Sequence, residues 1–176
     1  MAAHQGGRGY LKPIEFSNTS ALADWLSHDC LPEGYILLDG FPGSGKSTLA
    51  AKLAKSMQQP WCELDALLNG SQIVTSYVDL LTDEDLRDFI DTNRTAILDG
   101  VTILDVAKKF SLPVKAHIYV KRIDKYGFWS DEDEIKFSNP IDAIISPSAL
   151  RLCLREYHKR SLPHEKCDAL LTWGGT

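Results

Sequence analysis

The segment from Tyr35 to Met57 constrains this chain more than any other. Gly40, Gly45, Lys46 and Ser47 stand in the spacing G-x-x-x-x-G-K-[ST]. Ile36-Leu37-Leu38, just before them, is a short continuous apolar run, as expected of a parallel strand buried on both faces. After Ser47, the apolar residues Leu49, Ala50, Leu53, Ala54 and Met57 recur at helical spacing. The glycines therefore fall between a strand and a helix, the context in which this spacing forms a phosphate-binding loop.

The chemistry follows from that placement. Gly40, Gly43 and Gly45 let the backbone turn tightly and approach a ligand. The N–H groups of Ser44, Gly45, Lys46, Ser47 and Thr48 can then face phosphate oxygens, with the positive end of the helix behind them. Lys46 is expected to reach the β- and γ-phosphates of ATP, and the Ser47 hydroxyl to ligate Mg²⁺.

At 176 residues the chain suits one domain with a sizeable core, and a net charge of −5 argues against a protein that grips duplex nucleic acid along its length. No apolar run approaches the length of a membrane span, and Met1 to Tyr10 is Gly-rich and polar, without a signal-peptide apolar stretch. Cys30, Cys62, Cys153 and Cys167 form no C-x-x-C pair and read as free thiols. A cytoplasmic location is the expectation.

Residues 1–16 read as a flexible tail, with residues 17–176 forming the domain. Thr19 or Ser20 is expected to cap a helix that runs to His28. Trp61 to Asp65 reads as a second strand ending in a carboxylate, and residues 71–93 as two helical pieces, with Asp83, Glu84 and Asp85 as dipole partners at a helix start. Thr95 to Gly100 is a third strand, Leu104 to Phe110 a helix and Val114 to Val120 a fourth strand. Ser146-Pro147 is expected to open a helix reaching about Arg160, and Cys167 to Trp173 to form the fifth strand. Strands alternating with helices give a parallel α/β sheet. Residues 121–146 form a long insertion with the acidic run Asp131-Glu132-Asp133-Glu134, open to two readings, a lid over the site or a solvated acidic loop.

Two acids stand where strands are expected to end, on the side of an open parallel sheet where ligands bind. Asp99 is placed to hold a Mg²⁺-bound water at the metal site, the alternative being an acid that caps the following turn. Asp65 is placed to orient an acceptor hydroxyl and take its proton. His117, inside a strand, reads as a satisfied core residue.

On these residues the chain resembles the P-loop kinases of small molecules, in particular the uridine kinase and phosphoribulokinase-like group. The resemblance rests on Gly40 to Thr48, on Leu64-Asp65, on Ala96 to Val101, and on Glu156-Tyr157-His158, Leu162-Pro163 and Cys167-Asp168. It implies a P-loop NTPase three-layer sandwich, a five-stranded parallel sheet with flanking helices and the phosphate-loop strand central. It also implies Asp65 as the acceptor-site acid and Asp99 as the metal-site acid. Kinases of this kind carry several lid arginines after the fourth strand. Here that region holds Lys121, Arg122 and Lys125, with Arg122 the lid candidate and Arg151 and Arg155, one turn apart, as further candidates. Asn69, Tyr77 and Arg94, with Phe128 and Trp129 as stacking groups, are the acceptor-pocket candidates.

The leading expectation is an ATP- and Mg²⁺-dependent kinase of a small-molecule hydroxyl, with a nucleoside or a sugar as the candidate acceptors. A kinase of nucleic-acid or protein-linked hydroxyls is a second reading. A nucleotide-binding switch or inactive relative without phosphoryl transfer is the third, suggested by the arginine-poor lid.

Overall fold

Strand β2 (Tyr35–Asp39) is buried along its whole length, and its alternating side chains found two separate cores. This computed structural model describes residues 12–28, 33–68, 77–136 and 148–174. The remaining strands are β1 (Ile14–Phe16), β3 (Trp61–Glu63), β4 (Ile97–Asp99), β5 (Val114–Ile123) and β6 (Ala169–Gly174). They form one six-stranded parallel sheet in the order β1-β6-β5-β2-β4-β3.

The sheet has one strand more than the expected five. The addition is β1, cut from the segment read as a tail, where Ile14, Glu15 and Phe16 pair with Ala169, Leu170 and Leu171. Three residues carry too little periodicity to be seen in sequence, and their partner lies at the other end of the chain.

Ile36 and Leu38 point to the side covered by α1 (Thr19–His28) and α2 (Lys46–Met57), where they join Leu22, Leu26, Leu49 and Leu53. Leu37 points the other way, into a core with Leu98, Leu64, Leu86 and Leu154. That second layer draws on α3 (Leu64–Leu67), α4 (Tyr77–Leu80), α5 (Asp83–Thr92), α6 (Ile103–Lys109) and α8 (Ala149–Ser161). Helices on both faces of a parallel sheet make the three-layer α/β arrangement. Each fully buried leucine adds about 1.5–3 kcal/mol of burial free energy. Two short helices complete the described residues, α7 (Glu132–Lys136) and α9 (Pro163–Lys166). No helix among them is long and apolar enough to cross a membrane.

Several boundaries differ from the sequence expectation. Asn18 caps α1, its Oδ1 accepting the Ala21 N–H at 2.8 Å, ahead of Thr19 and Ser20, which lie inside the helix. Helix α8 starts at Ala149 with Ser148 as its cap; Ser146 and Pro147 lie outside the described residues. The second strand stops at Glu63, and Asp65 belongs to α3. Within 121–146, β5 continues to Ile123, a turn follows at 124–127, and α7 packs on α8. Cys62, Cys153 and Cys167 are free thiols, and Cys30 lies outside the described residues.

Strand order positions the site. Strands β3 and β4 lie to one side of β2, and β5, β6 and β1 to the other. The connections diverge at the carboxyl end of β2, where an open parallel sheet leaves its crevice. The loop Gly40 to Gly45 and the start of α2 occupy that point.

Candidate active site

The loop takes its shape from glycines that other residues replace badly. Gly40 sits at φ 142°, and a Cβ there would lie 2.6 Å from the Val120 carbonyl oxygen. Gly45 caps α2 in a left-handed conformation at φ 94°. Lys46 is buried at the base of the loop, and its ammonium donates to the carbonyl oxygens of Gly40 at 3.0 Å and Phe41 at 2.9 Å. Burial pulls the Lys46 pKa down, and the charges of Asp39, Asp65, Asp99 and Asp131 pull it back up. Four carboxylates thus act on the Lys46 ammonium. Thr48 is exposed on the first turn of α2.

Ser47, half-buried, meets two acids. Its Oγ lies 2.8 Å from Asp99 Oδ2 and 2.9 Å from Glu63 Oε1. One hydroxyl proton serves only one of them at a time, so two carboxylates crowd a single oxygen. Burial raises the Asp99 pKa, and the Glu63 charge adds to the rise, while hydrogen bonds from Trp61 and Ser47 oppose it. A hydroxyl and two carboxylates are hard oxygen donors, and a divalent cation among them relieves the crowding. Among the described residues no group of three or more His, Cys, Asp or Glu side chains encloses a metal. One hydroxyl and two carboxylates would suit Mg²⁺, which keeps waters and phosphate oxygens in its shell.

A buried polar network braces the loop from below. Asp39, the last residue of β2, accepts the Gly40 N–H at 2.7 Å through Oδ1. Its Oδ2 accepts from His117 Nε2 at 3.2 Å and from the Tyr157 hydroxyl. Burial works to raise the Asp39 pKa, but the hydrogen bonds and charge of His117, with the Tyr157 hydroxyl, outweigh it and hold the carboxyl below its ordinary value. Beside it, His158 Nδ1 lies 2.8 Å from the Leu154 carbonyl, which only accepts, so that nitrogen carries the proton. His158 Nε2 is left to accept from the Tyr119 hydroxyl at 2.8 Å. Burial lowers the His158 pKa, in keeping with a neutral ring stacked on Phe41 at 4.5 Å. His117 is the satisfied core residue its strand position suggested, though its partner is Asp39, the acid at the end of β2 that holds the loop's first N–H.

Arg122 Nη1 donates to the Gly43 carbonyl at 3.4 Å, and Nη2 lies 3.8 Å from Asp131, so the guanidinium hangs over the phosphate loop. Arg151 and Arg155 instead both pair with Glu134 of α7, at 3.2 and 3.3 Å. Asp65, on α3, has an exposed side chain whose charge reaches Lys46. Arg94 is exposed after α5, and Phe128 is 67% exposed in the turn after β5. Trp129 is packed against Phe41, Tyr119 and His164 with Lys121 over its ring, so it behaves as a packing residue. Asn69 and the Tyr77 side chain lie outside the described residues.

Glu63, Trp61, Asp39 and Trp173 carry no site role in the sequence reading, and Tyr157 enters it only as part of the resemblance. Of the first four, Glu63 has a visible signal, as the acid two residues before Asp65.

No family model matches this chain, and no curated protein matches it. Solved structures do. A sugar kinase from Janibacter sp. HTCC2649 is similar at 18% identity over 81% of this chain and 86% of its own, with a TM-score of 0.42. The shikimate kinase of Aquifex aeolicus is similar at 19% identity over 78% of this chain and 85% of its own, with a TM-score of 0.44.

Proposed function

We propose that this protein is an ATP-dependent kinase that transfers the γ-phosphoryl group to a hydroxyl of a small molecule. The observation that carries this reading is the convergence of Asp99 and Glu63 on the Ser47 hydroxyl, directly beyond the phosphate loop. A phosphate cradle and a hard-donor cation position side by side are what a metal-nucleotide needs.

In this reading the loop N–H groups and Lys46 bind the β- and γ-phosphates. Ser47, Asp99 and Glu63 would hold Mg²⁺, which would supply positive charge against the phosphates. Arg122 leaves the Gly43 carbonyl for the γ-phosphate and offsets the charge that spreads over it during transfer. Asp65 orients the acceptor hydroxyl and takes its proton. The resemblance to the uridine kinase and phosphoribulokinase-like group favours a nucleoside or a sugar as acceptor. A cytoplasmic ATP supply suits the same reading.

Nucleotide binding without transfer is the second reading. The pairing of Arg151 and Arg155 with Glu134 favours it, because it keeps two lid candidates on α7.

The test is Mg²⁺-dependent ADP formation from ATP with pooled nucleosides, nucleotides, sugars and vitamin alcohols, beside an acceptor-free blank. Acceptor-stimulated turnover that falls at least about 10²-fold in Lys46→Met is the expected result. Tight ATP binding with no stimulation by any pool moves the assignment to the second reading.

A further inference from the structure

Trp61 opens β3 and Glu63 lies two residues on, so both side chains project from the same face of the strand. In the parallel pairing of β3 with β4, Glu63 stands opposite Asp99 and Trp61 opposite Ile97. From there the Trp61 indole reaches diagonally along the ladder, and Nε1–H donates to Asp99 Oδ1 at 2.6 Å. The other oxygen of the same carboxylate, Oδ2, receives Ser47.

Asp99 therefore has its two oxygens divided. One is committed to a fixed N–H donor, and the other faces the Ser47 and Glu63 side. Asp99 is only 1% exposed, so water does not compete for the committed oxygen. A hydrogen bond to an ionised carboxylate in such a setting is short and strong.

The geometry points to Trp61 as a positioning residue that sets cation specificity, holding Asp99 to one-oxygen coordination and so favouring Mg²⁺ over Ca²⁺. This rests on the reading above, in which Ser47, Glu63 and Asp99 surround a metal-nucleotide. Mg²⁺ is small, demands near-octahedral geometry and is met by one or two carboxylates plus waters and phosphate oxygens. Ca²⁺ takes more oxygens at longer distances and commonly uses both oxygens of a carboxylate. With Oδ1 already accepting from the indole, the second mode is disfavoured.

A purely structural role for Trp61 makes a different prediction. The ring packs beside the α1 and α2 core, and its loss would loosen that packing for any bound cation alike. The quantity that separates the two is a ratio.

The experiment measures the dissociation constant of a fluorescent ATP analogue in EDTA, in Mg²⁺ and in Ca²⁺, for the wild-type protein, Trp61→Phe and Trp61→Tyr. The wild type is expected to bind the Mg²⁺ complex more tightly than the Ca²⁺ complex. Trp61→Phe is expected to reduce that preference at least about threefold, the scale of losing one charge-assisted hydrogen bond, with Trp61→Tyr, which keeps a donor, in between. A metal-dependent wild type with the same preference in Trp61→Phe overturns the inference and leaves the kinase reading intact. A wild type that binds ATP equally with and without divalent cation overturns it together with the cation site, whatever the fate of the variants. A wild type with no preference between the two cations overturns it even where Trp61→Phe fails to fold.

Discussion

Trp173 packs directly against Gly45: a Cβ on Gly45 would come 2.3 Å from Trp173 Cζ2. The same indole donates to the Ser44 carbonyl at 2.9 Å, and Lys52 sits 5.4 Å from its ring centroid. The last strand of the sheet thus clamps the end of the phosphate loop. Gly45 is also the left-handed cap of α2, so Gly45→Ala meets both a clash and backbone strain. ATP affinity should fall at least about tenfold in that variant. Trp173→Phe keeps most of the ring and loses the hydrogen bond, and should weaken ATP binding about threefold to tenfold. Titration calorimetry checks both, and an unaltered affinity in Gly45→Ala would remove the clamp from the account.

Glu63 and Asp65 are two residues apart, with different roles in the proposed mechanism. Glu63 lies on the strand against Ser47, while Asp65 is carried outward on α3. Glu63→Gln should raise the Mg²⁺ concentration needed for half-maximal ATP binding about tenfold, because a charged ligand at a hard-cation site is lost. Asp65→Asn should leave that requirement alone and lower acceptor-stimulated turnover about 10²-fold or more. The reverse pattern would exchange their roles.

That pair also shows where sequence stops. The apolar run before Gly40 and the helical spacing after Ser47 are local, so β2, the loop and α2 are legible from a window of about two dozen residues. The end of β3 is not, because Leu64-Asp65-Ala66-Leu67 serves a strand or a helix equally well and its placement is decided by packing against Leu98 and the second core. Asp39 meets His117 and Tyr157 from 78 and 118 positions away, and Trp173 meets Ser44 from 129. Such contacts exist only once β5 stands between β2 and β6 and α8 is packed against the sheet. The expected five strands became six for the same reason, since β1 is defined by its partner rather than by its own pattern.

The buried histidines give the fold an acid limit. His158 and His164 both have pKa values lowered first by burial from the ordinary 6.5. Between that value and their folded values the unfolded chain binds protons that the folded chain does not, so stability falls as pH falls through the window. Asp39, held below its ordinary 3.8, adds a loss only under more acid conditions. The melting temperature should drop by about 3–8 °C between pH 7.5 and pH 5.5. His158→Gln should start lower, since the bond from Tyr119 and the stack on Phe41 are perturbed, but show a shallower slope. Equal slopes in wild type and His158→Gln, followed by circular dichroism, would exclude His158 as the source.

Asp131 places a negative charge where a polyphosphate is expected. Its carboxyl pairs with Arg122 at 3.8 Å, its charge acts on Lys46, and its Oδ2 is buried with no hydrogen-bond partner among the described residues. Burial raises the Asp131 pKa, and the Arg122 charge opposes that rise. A γ-phosphate would compete with Asp131 for Arg122 and would repel it across Lys46. Asp131→Asn removes the competitor, so ATP should bind about threefold to tenfold more tightly, with the gain shrinking as salt rises. Arg122→Ala removes the group itself and leaves the Asp131 charge unopposed, so ATP binding should weaken about threefold to tenfold while acceptor-stimulated turnover falls about 10²-fold or more. The two variants thus move ATP binding in opposite directions, and Arg122→Ala lowers turnover beyond its effect on binding. Tighter binding in Asp131→Asn together with unimpaired turnover in Arg122→Ala would show that Arg122 answers to Asp131 alone and leave the γ-phosphate without its arginine.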